Sequence, residues 1–198
     1  MKQFTMKIEG YTFEELPSKV QDQLIESYEV YDGWHDYILE DSKQHLEEIG
    51  VGDPDIKYTG FYSQGDGLSF TSQHVDLTKL FKHMKETNYF DVPDAWIDAA
   101  ENGDIDSQIG RITYHYCHEN TVRFYITVAR PLTEKDQSQM EFLLNGWLKD
   151  TCVEIYKRLR EEYEEYTSRD NIRLEFIERG HYYTIKGEYI NTYACQES

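Results

Sequence analysis

Cysteine is scarce in this sequence, and long apolar runs are missing. The three cysteines, Cys117, Cys152 and Cys195, are odd in number, and no two have C-x-x-C spacing. This argues against a disulfide framework or a structural zinc site and favours a reducing compartment. No segment approaches the roughly 20 apolar residues of a membrane span, and the N-terminus lacks the apolar run of a signal peptide. We therefore expect a cytoplasmic protein that does not contact a membrane.

Basic residues are also in short supply, with 20 against 38 acidic residues and a formal net charge of −18. Residues 1–60 alone contain 14 acidic and 5 basic side chains. Nucleic acid and anionic membranes repel such a chain, so we expect no direct nucleic-acid binding. Two interpretations of the charge stay open. It keeps the protein soluble, or it forms an acidic face for a basic partner, such as the nucleic-acid groove of another protein.

The chain has 198 residues, no repeats and no linker rich in Pro, Gly or Ser. This length suits one domain with a core that needs no disulfides, so we expect a single domain over residues 1–198. Aromatic residues make up 15% of the chain, chiefly because of 17 tyrosines. Tyrosine packs its ring while its hydroxyl stays in water, which suits contact surfaces as well as half-buried strands.

Hydrophobic periodicity predicts a mixture of helices and hairpins. Apolar residues at helical spacing predict helices at about 17–29, 33–49, 77–87, 93–101, 133–167 and 169–179. Period-two patterns predict hairpins with strands at 56–62 and 68–71, at 112–117 and 122–128, and at 182–185 and 188–190. The predicted class is α+β: an antiparallel sheet of about four to six strands with helices packed on it, including one long C-terminal helix.

The segment from Ser63 to Gly67, Ser-Gln-Gly-Asp-Gly, is the first candidate site. Asp-Gly is a strong turn pair, and glycine adopts positive φ at little cost, so a simple turn explains the segment. The functional alternative is that the glycines let the backbone approach a ligand, with Gln64 and Asp66 contacting it. The segment lies between two strands and has no following lysine, so it is neither a P-loop nor a dinucleotide fingerprint.

Two further patterns suggest metals, but each lacks ligands. Residues 98–106 resemble a calcium loop, yet Ala100 and Ile109 occupy two ligand positions, so a polar loop is the better interpretation. His115 and Cys117 would share a solvated strand face, with His118 in the turn, and no second ligand pair accompanies them. We predict no metal and no cofactor.

The remaining chemistry is sparse. Cys152 lies beside the apolar stripe of the long helix and is predicted to be a small core residue. The catalytic patterns G-x-S-x-G and H-E-x-x-H are absent, so nothing in the sequence supports an enzyme.

Three stretches resemble a family of small proteins encoded by phages and mobile elements. Residues 56–70, Ile-Lys-Tyr-Thr-Gly-Phe-Tyr-Ser-Gln-Gly-Asp-Gly-Leu-Ser-Phe, are similar to the family signature S-G-F-x-S-Q-G-D-G-A-S-F. Residues 32–37, an aromatic and acidic segment, and residues 147–168, similar to a C-terminal family helix, follow the same order. Thr59 stands where the signature has serine, and Leu68 where it has alanine.

Proteins of that family are commonly labelled antitoxin-like. The resemblance implies a phage- or mobile-element-type protein of the host-cell cytosol. We expect it to bind and inhibit a protein partner, either a host defence component or a toxin, through an acidic, tyrosine-rich surface. In one version the surface mimics DNA, with tyrosines and carboxylates imitating bases and phosphates. The predicted binding residues are those of the signature: Tyr58, Phe61, Tyr62, Ser63, Gln64, Gly65, Asp66, Gly67 and Phe70.

Two other hypotheses stay open. The protein binds or cleaves a small molecule or nucleotide with the Gly65-Asp66-Gly67 loop. A deep pocket lined by Tyr58, Phe61 and Phe70 would favour this, whereas a hairpin with those side chains outside would count against it. Alternatively, the stripe of the long helix mediates a homodimer rather than packing in a monomer core.

Overall fold

The computed structural model describes residues 8–113, 115–129 and 132–191. The chain forms two compact units. The terminal unit comprises Met1–Trp34 and Glu162–Ser198, and the central unit comprises His35–Glu161. The expectation of one domain stays a prediction, because compact units are not by themselves independent domains. Cys195 lies outside the described residues.

The central unit alternates helices with short strands. Its elements, in chain order, are α2 (Asp36–Glu48), β1 (Val51–Gly52), β2 (Asp55–Thr59), β3 (Gly67–Thr71), β4 (His74–Val75), α3 (Leu77–Glu86), α4 (Asp94–Glu101), β5 (Ile105–Arg111), a 3₁₀ turn (Glu119–Thr121), β6 (Val122–Val128) and α5 (Glu134–Tyr166). The last residues of α5 belong to the terminal unit.

The strands of the central unit pair in antiparallel ladders of two, β1 with β4, β2 with β3 and β5 with β6. A β-bridge between Ser72 and Ile109 links the end of β3 to β5. The predicted α+β class with antiparallel strands and a long helix near the C-terminus is confirmed.

The core of the central unit comes from α3, α5 and the inner faces of the hairpins. Met140, Leu144, Leu148 and Cys152 follow one another at four-residue steps along α5, and all four are fully buried. Residues at this spacing lie on one face of a helix. The predicted core position of Cys152 is therefore confirmed, and the α5 stripe packs inside the chain. A homodimer stays an untested hypothesis.

The second predicted hairpin is wrong in its first strand. The strand is β5, Ile105–Arg111, rather than 112–117, and it pairs with β6 from Ile105↔Val128 to Arg111↔Val122. On β5 the buried face includes Ser107, whose hydroxyl lies 3.3 Å from the carbonyl oxygen of Val75. That polar residue weakens the period-two pattern, while Ile112 and the tyrosines that follow it create a competing one.

The solvated strand face predicted at His115 and Cys117 is also wrong. Cys117 is buried, and its thiol donates to the carbonyl oxygen of Lys57 at 2.9 Å. Residues 98–106 do not form one loop, because α4 continues to Glu101 and β5 begins at Ile105.

The terminal unit contains a 3₁₀ turn (Phe13–Glu15), α1 (Ser18–Glu26), α6 (Arg169–Arg179), β7 (Tyr182–Tyr183) and β8 (Tyr189–Ile190). Its core consists of Phe13, Leu16, Ile25, Ile172 and Tyr183. The Ser168 hydroxyl caps α6 by accepting from the N–H of Asn171, and Gly180 ends the helix in the left-handed conformation. These are the usual start and stop signals of a helix. The predicted bounds of α6 are confirmed, and so is the last hairpin, although its strands β7 and β8 are shorter than predicted.

Candidate functional site

The signature residues form the turn between β2 and β3, here called the motif turn (residues 60–67). The carboxylate of Asp66 closes it, since one oxygen accepts from the N–H of Tyr62 at 3.0 Å and from the N–H of Ser63 at 2.7 Å. The N–H of Asp66 donates in turn to the carbonyl oxygen of Ser63 at 3.1 Å. An aspartate that bonds nearby backbone groups in this way stabilises a turn.

Two glycines of the motif turn give room to the segment that precedes the 3₁₀ turn. Gly65 has φ +94°, and a Cβ there would lie 2.6 Å from a ring carbon of Tyr116. At Gly67 a Cβ would lie 2.5 Å from Cβ of His118 and 2.8 Å from its Cα. A side chain at either position would therefore push residues 116–118 away from the hairpin.

An aromatic cluster supports the turn from the side of β2 and α5. The Tyr58 ring lies 5.1 Å from the His35 ring and 6.0 Å from that of Phe61, and Phe61 lies 5.5 Å from Tyr156. The Tyr156 hydroxyl donates to the carbonyl oxygen of Gly60 at 2.9 Å. Burial and the charge of Asp66 raise the pKa of Tyr156, and burial and the charge of Asp36 raise the pKa of Tyr58. Both phenols therefore stay neutral donors at physiological pH.

The nine predicted binding residues are adjacent in the fold but differ in exposure. Phe70 is fully buried, with its ring 6.4 Å from that of Trp147. Gly67 is buried, and Tyr58, Phe61, Gly65 and Asp66 are half-buried. The exposed residues are Tyr62, Ser63 and Gln64, with Tyr62 at 73%. Their binding role stays a prediction, and the pocket of Tyr58, Phe61 and Phe70 proposed as its alternative does not form, because Phe70 packs in the core.

A cleft of about 490 Å³ lies beside the motif turn, and we call it the cationic cleft. Its walls contain one lysine, one arginine and two histidines, and among the described residues they include no carboxylate. The lining residues are His35, Leu39, Ile56, Lys57, Tyr58, Thr59, Arg111, His115, Tyr116 and Cys117. Two carboxylates lie just outside, Asp55 at 2.9 Å from the Lys57 ammonium and Asp36 at 3.9 Å from His35 Nε2. Gln64 and Asp66 are not among the lining residues.

Arg111 is the last residue of β5 and one of the residues that line this cleft. The Nη2 atom is buried and has no hydrogen-bond partner within residues 8–113, 115–129 and 132–191. A buried, unsatisfied donor on a charged group costs free energy unless a ligand or water satisfies it.

A second cleft, of about 390 Å³, lies between α2, α3 and α5, and its walls contain charges of both signs. The rings of His45 and His83 lie 5.9 Å apart, and burial, together with the nearby His45, lowers the pKa of His83. Burial and a 2.7 Å hydrogen bond to Asp150 raise the pKa of Tyr89 to about 12. We call this the mixed-charge cleft.

The sequence alone gave no signal for the cationic cleft. Lys57 is 54 residues from Arg111, and neither it nor Arg111 and His115 belong to a shared motif. The bridge between Ser72 and Ile109 and the packing of residues 116–118 on the motif turn bring them together.

Fold and site together define an α+β protein with a signature turn and an adjacent cationic cleft. The chain belongs to the family described as a domain of unknown function, DUF8835, whose profile matches residues 34–169. That match covers the central unit and extends a few residues into the terminal unit. Neither the curated proteins nor the solved structures include a match to the chain.

The residues that the structure describes lack two kinds of feature. Among them, no helix combines the length and the apolar character needed to cross a membrane. The same residues include no cluster of three or more His, Cys, Asp and Glu side chains that could hold a metal ion.

Proposed function

We propose that the protein binds and inhibits a protein partner through the exposed side of the motif turn. The main supporting observation is that some signature residues make internal contacts while others are exposed to solvent. Asp66 and the glycines are engaged inside the molecule, while Tyr62, Ser63 and Gln64 are exposed. Because internal contacts already fix the backbone of the turn, little backbone entropy is lost when these side chains bind a partner, and this favours binding.

The chemistry of the exposed residues suits a protein surface. Tyrosine is enriched at interface hot spots because it offers a large ring and a hydroxyl at low entropic cost. Tyr116, which packs on Gly65, is itself 56% exposed and enlarges the aromatic surface. The net charge of −18 favours a basic partner.

The sequence resemblance supplies the biological setting of the proposal. It points to a phage- or mobile-element-type protein acting in the cytoplasm of a host cell, with a host defence component or a toxin as its target. In the DNA-mimic version, the partner is a DNA-binding protein whose basic groove accepts the acidic surface.

The test is a pull-down of partners from bacterial lysate. It compares the tagged wild-type protein with a tagged Tyr62→Ala/Gln64→Ala variant. The matched control is Gln108→Ala/Tyr125→Ala, which truncates an exposed, directly paired Gln and Tyr on the β5–β6 ladder. We expect the motif-turn variant alone to lose the partner, with Kd for the purified partner rising at least about tenfold. The wild-type protein should inhibit the purified partner in an activity assay.

The salt dependence of the same complex tests the role of charge. We expect the association rate to fall between 50 and 500 mM salt, and duplex DNA to compete with the protein in the DNA-mimic version. Equal partner capture by the two double variants would contradict the proposal, as would a partner whose activity is unaffected.

A further inference from the structure

The lining of the cationic cleft differs in charge from the chain as a whole, which is strongly acidic. In a chain with 38 acidic and 20 basic residues, its walls contain Lys57, Arg111, His35 and His115 and, among the described residues, no carboxylate. The mixed-charge cleft contains Asp150 and Glu154, and three smaller clefts contain one or more carboxylates each. Asp55 lies 2.9 Å from the Lys57 ammonium, so Arg111 is the main source of positive charge in this cleft. A cation in a concave site attracts anions, even on a protein of negative net charge.

Arg111 adds a second, independent observation. Its buried Nη2 has no hydrogen-bond partner among the described residues, although a guanidinium has five N–H donors. The planar fork of arginine matches the paired oxygens of phosphate, and such charge-assisted bonds are stronger than neutral ones. A phosphate at this position would satisfy the donor that the protein leaves unsatisfied.

The other walls suit a flat aromatic group. Tyr58 and Tyr116 line the cleft together with Ile56 and Leu39, and tyrosine rings stack with nucleobases of any sequence. A volume of about 490 Å³ lies in the range of small-molecule sites and exceeds what an inorganic anion needs. Cys117 is not placed as a nucleophile, because its thiol is buried and donates to the Lys57 carbonyl oxygen.

We infer that the cationic cleft is a binding site for a nucleoside monophosphate, with the phosphate at Arg111 and the base against Tyr58 and Tyr116. This inference shares only Tyr116 with the proposed partner surface, and it is tested on the purified chain without any protein partner.

The experiment is isothermal titration calorimetry of the full chain with the four ribonucleoside 5′-monophosphates. Adenosine, ribose 5-phosphate and inorganic phosphate complete the set, so that base and phosphate are tested separately. At least one monophosphate should bind at least about tenfold more tightly than inorganic phosphate, since stacking of one base contributes about a tenfold gain or more.

Arg111→Gln should weaken that binding by about tenfold or more, because it removes a charge-assisted contact. Arg123→Gln is the matched control, since Arg123 is exposed on the neighbouring strand β6 and does not line the cleft. Arg111→Lys keeps the positive charge but loses the planar pair of N–H donors. Its monophosphate affinity should therefore lie between that of the wild type and that of Arg111→Gln. Circular dichroism and thermal unfolding establish that each variant is folded.

If Arg111→Gln does not fold, Tyr116→Ala decides, because Tyr116 is 56% exposed and its truncation leaves the core intact. It should lower monophosphate affinity about tenfold and leave phosphate affinity unchanged. Three results would overturn the inference: no binding of any monophosphate at millimolar concentration, equal affinity for phosphate and monophosphate, or equal losses in Arg111→Gln and Arg123→Gln.

Discussion

The motif turn and the loop after α4 both contain glycine beside acidic residues, but they use glycine for different reasons. At Gly103 the backbone has φ +70°, and a Cβ would meet no atom within 4 Å. At Gly67 the backbone φ is ordinary for any residue, yet a Cβ would collide with His118. The first glycine is needed for its conformation and the second for the space it leaves.

This difference gives the signature an architectural meaning. Its glycines leave room for residues 116–118 beside the hairpin, and Tyr116 and Cys117 of that segment line the cationic cleft. The loop after α4 only ends a helix, where a left-handed glycine is the usual device. Substitutions in the two loops should therefore have different effects on the cleft, as well as on stability.

The largest effect is expected from Gly67→Ala. The added methyl group meets the His118 backbone and Cβ, and overpacking of this kind costs about 3 kcal/mol. Gly103→Ala, the control, should cost about 1 kcal/mol, the penalty of a left-handed L-residue. Urea unfolding measures the loss of unfolding free energy in both variants. Equal losses would mean that Gly67 is not needed to leave space for residues 117–118.

Asp66→Ala should have the next largest effect. It removes the acceptor of the Tyr62 and Ser63 N–H groups, which we expect to lower the free energy of unfolding by about 1–2 kcal/mol. Asp98→Ala, in which an exposed aspartate of α4 is truncated, should change it by less than about 0.5 kcal/mol. If the Asp66 variant were as stable as the Asp98 variant, the carboxylate would not be what closes the turn.

Tyr156→Phe should cost about 1 kcal/mol at neutral pH, since the Gly60 carbonyl loses its donor. The effect should also depend on pH. The folded-state pKa of Tyr156 is raised above the unfolded value of about 10. Its contribution is therefore complete below about pH 10 and is lost as the pH rises through the folded-state pKa.

Chemical denaturation of wild type and Tyr156→Phe between pH 8 and 12 checks this sign. The difference in unfolding free energy between the two proteins should narrow above about pH 10. A difference that grows with pH would contradict the assignment.

The smallest effect is expected from calcium at residues 98–106. Asp98 belongs to α4 and Asp106 to β5, so the carboxylates do not surround one ion as in a calcium loop. Millimolar calcium should leave the thermal unfolding midpoint unchanged to within about 1 °C, and a matched titration with magnesium controls for ionic strength. A calcium-specific rise of several degrees would contradict this expectation and show that the folded protein binds calcium.

Much of the architecture follows from local patterns in the sequence. The helices at 77–86, 134–166 and 169–179 and the β2–β3 hairpin agree closely with their predictions, because apolar spacing, capping residues and Asp-Gly turn chemistry act over a few residues. The prediction for the first strand of the β5–β6 hairpin is wrong because local patterns do not report long-range contacts. Its buried Ser107 satisfies its hydroxyl through a distant carbonyl that no local pattern reveals.

The sequence by itself determined the α+β class, most helix bounds, the motif turn, and the core position of Cys152. It also set the acidic net charge and the resemblance on which the biological setting of the proposed function rests. Only the tertiary structure decided that Phe70 is buried and that Arg111 lines one cleft with Lys57 and two tyrosines. The physical reason is range: periodicity and turn chemistry are local, whereas a cleft depends on which distant segments pack together.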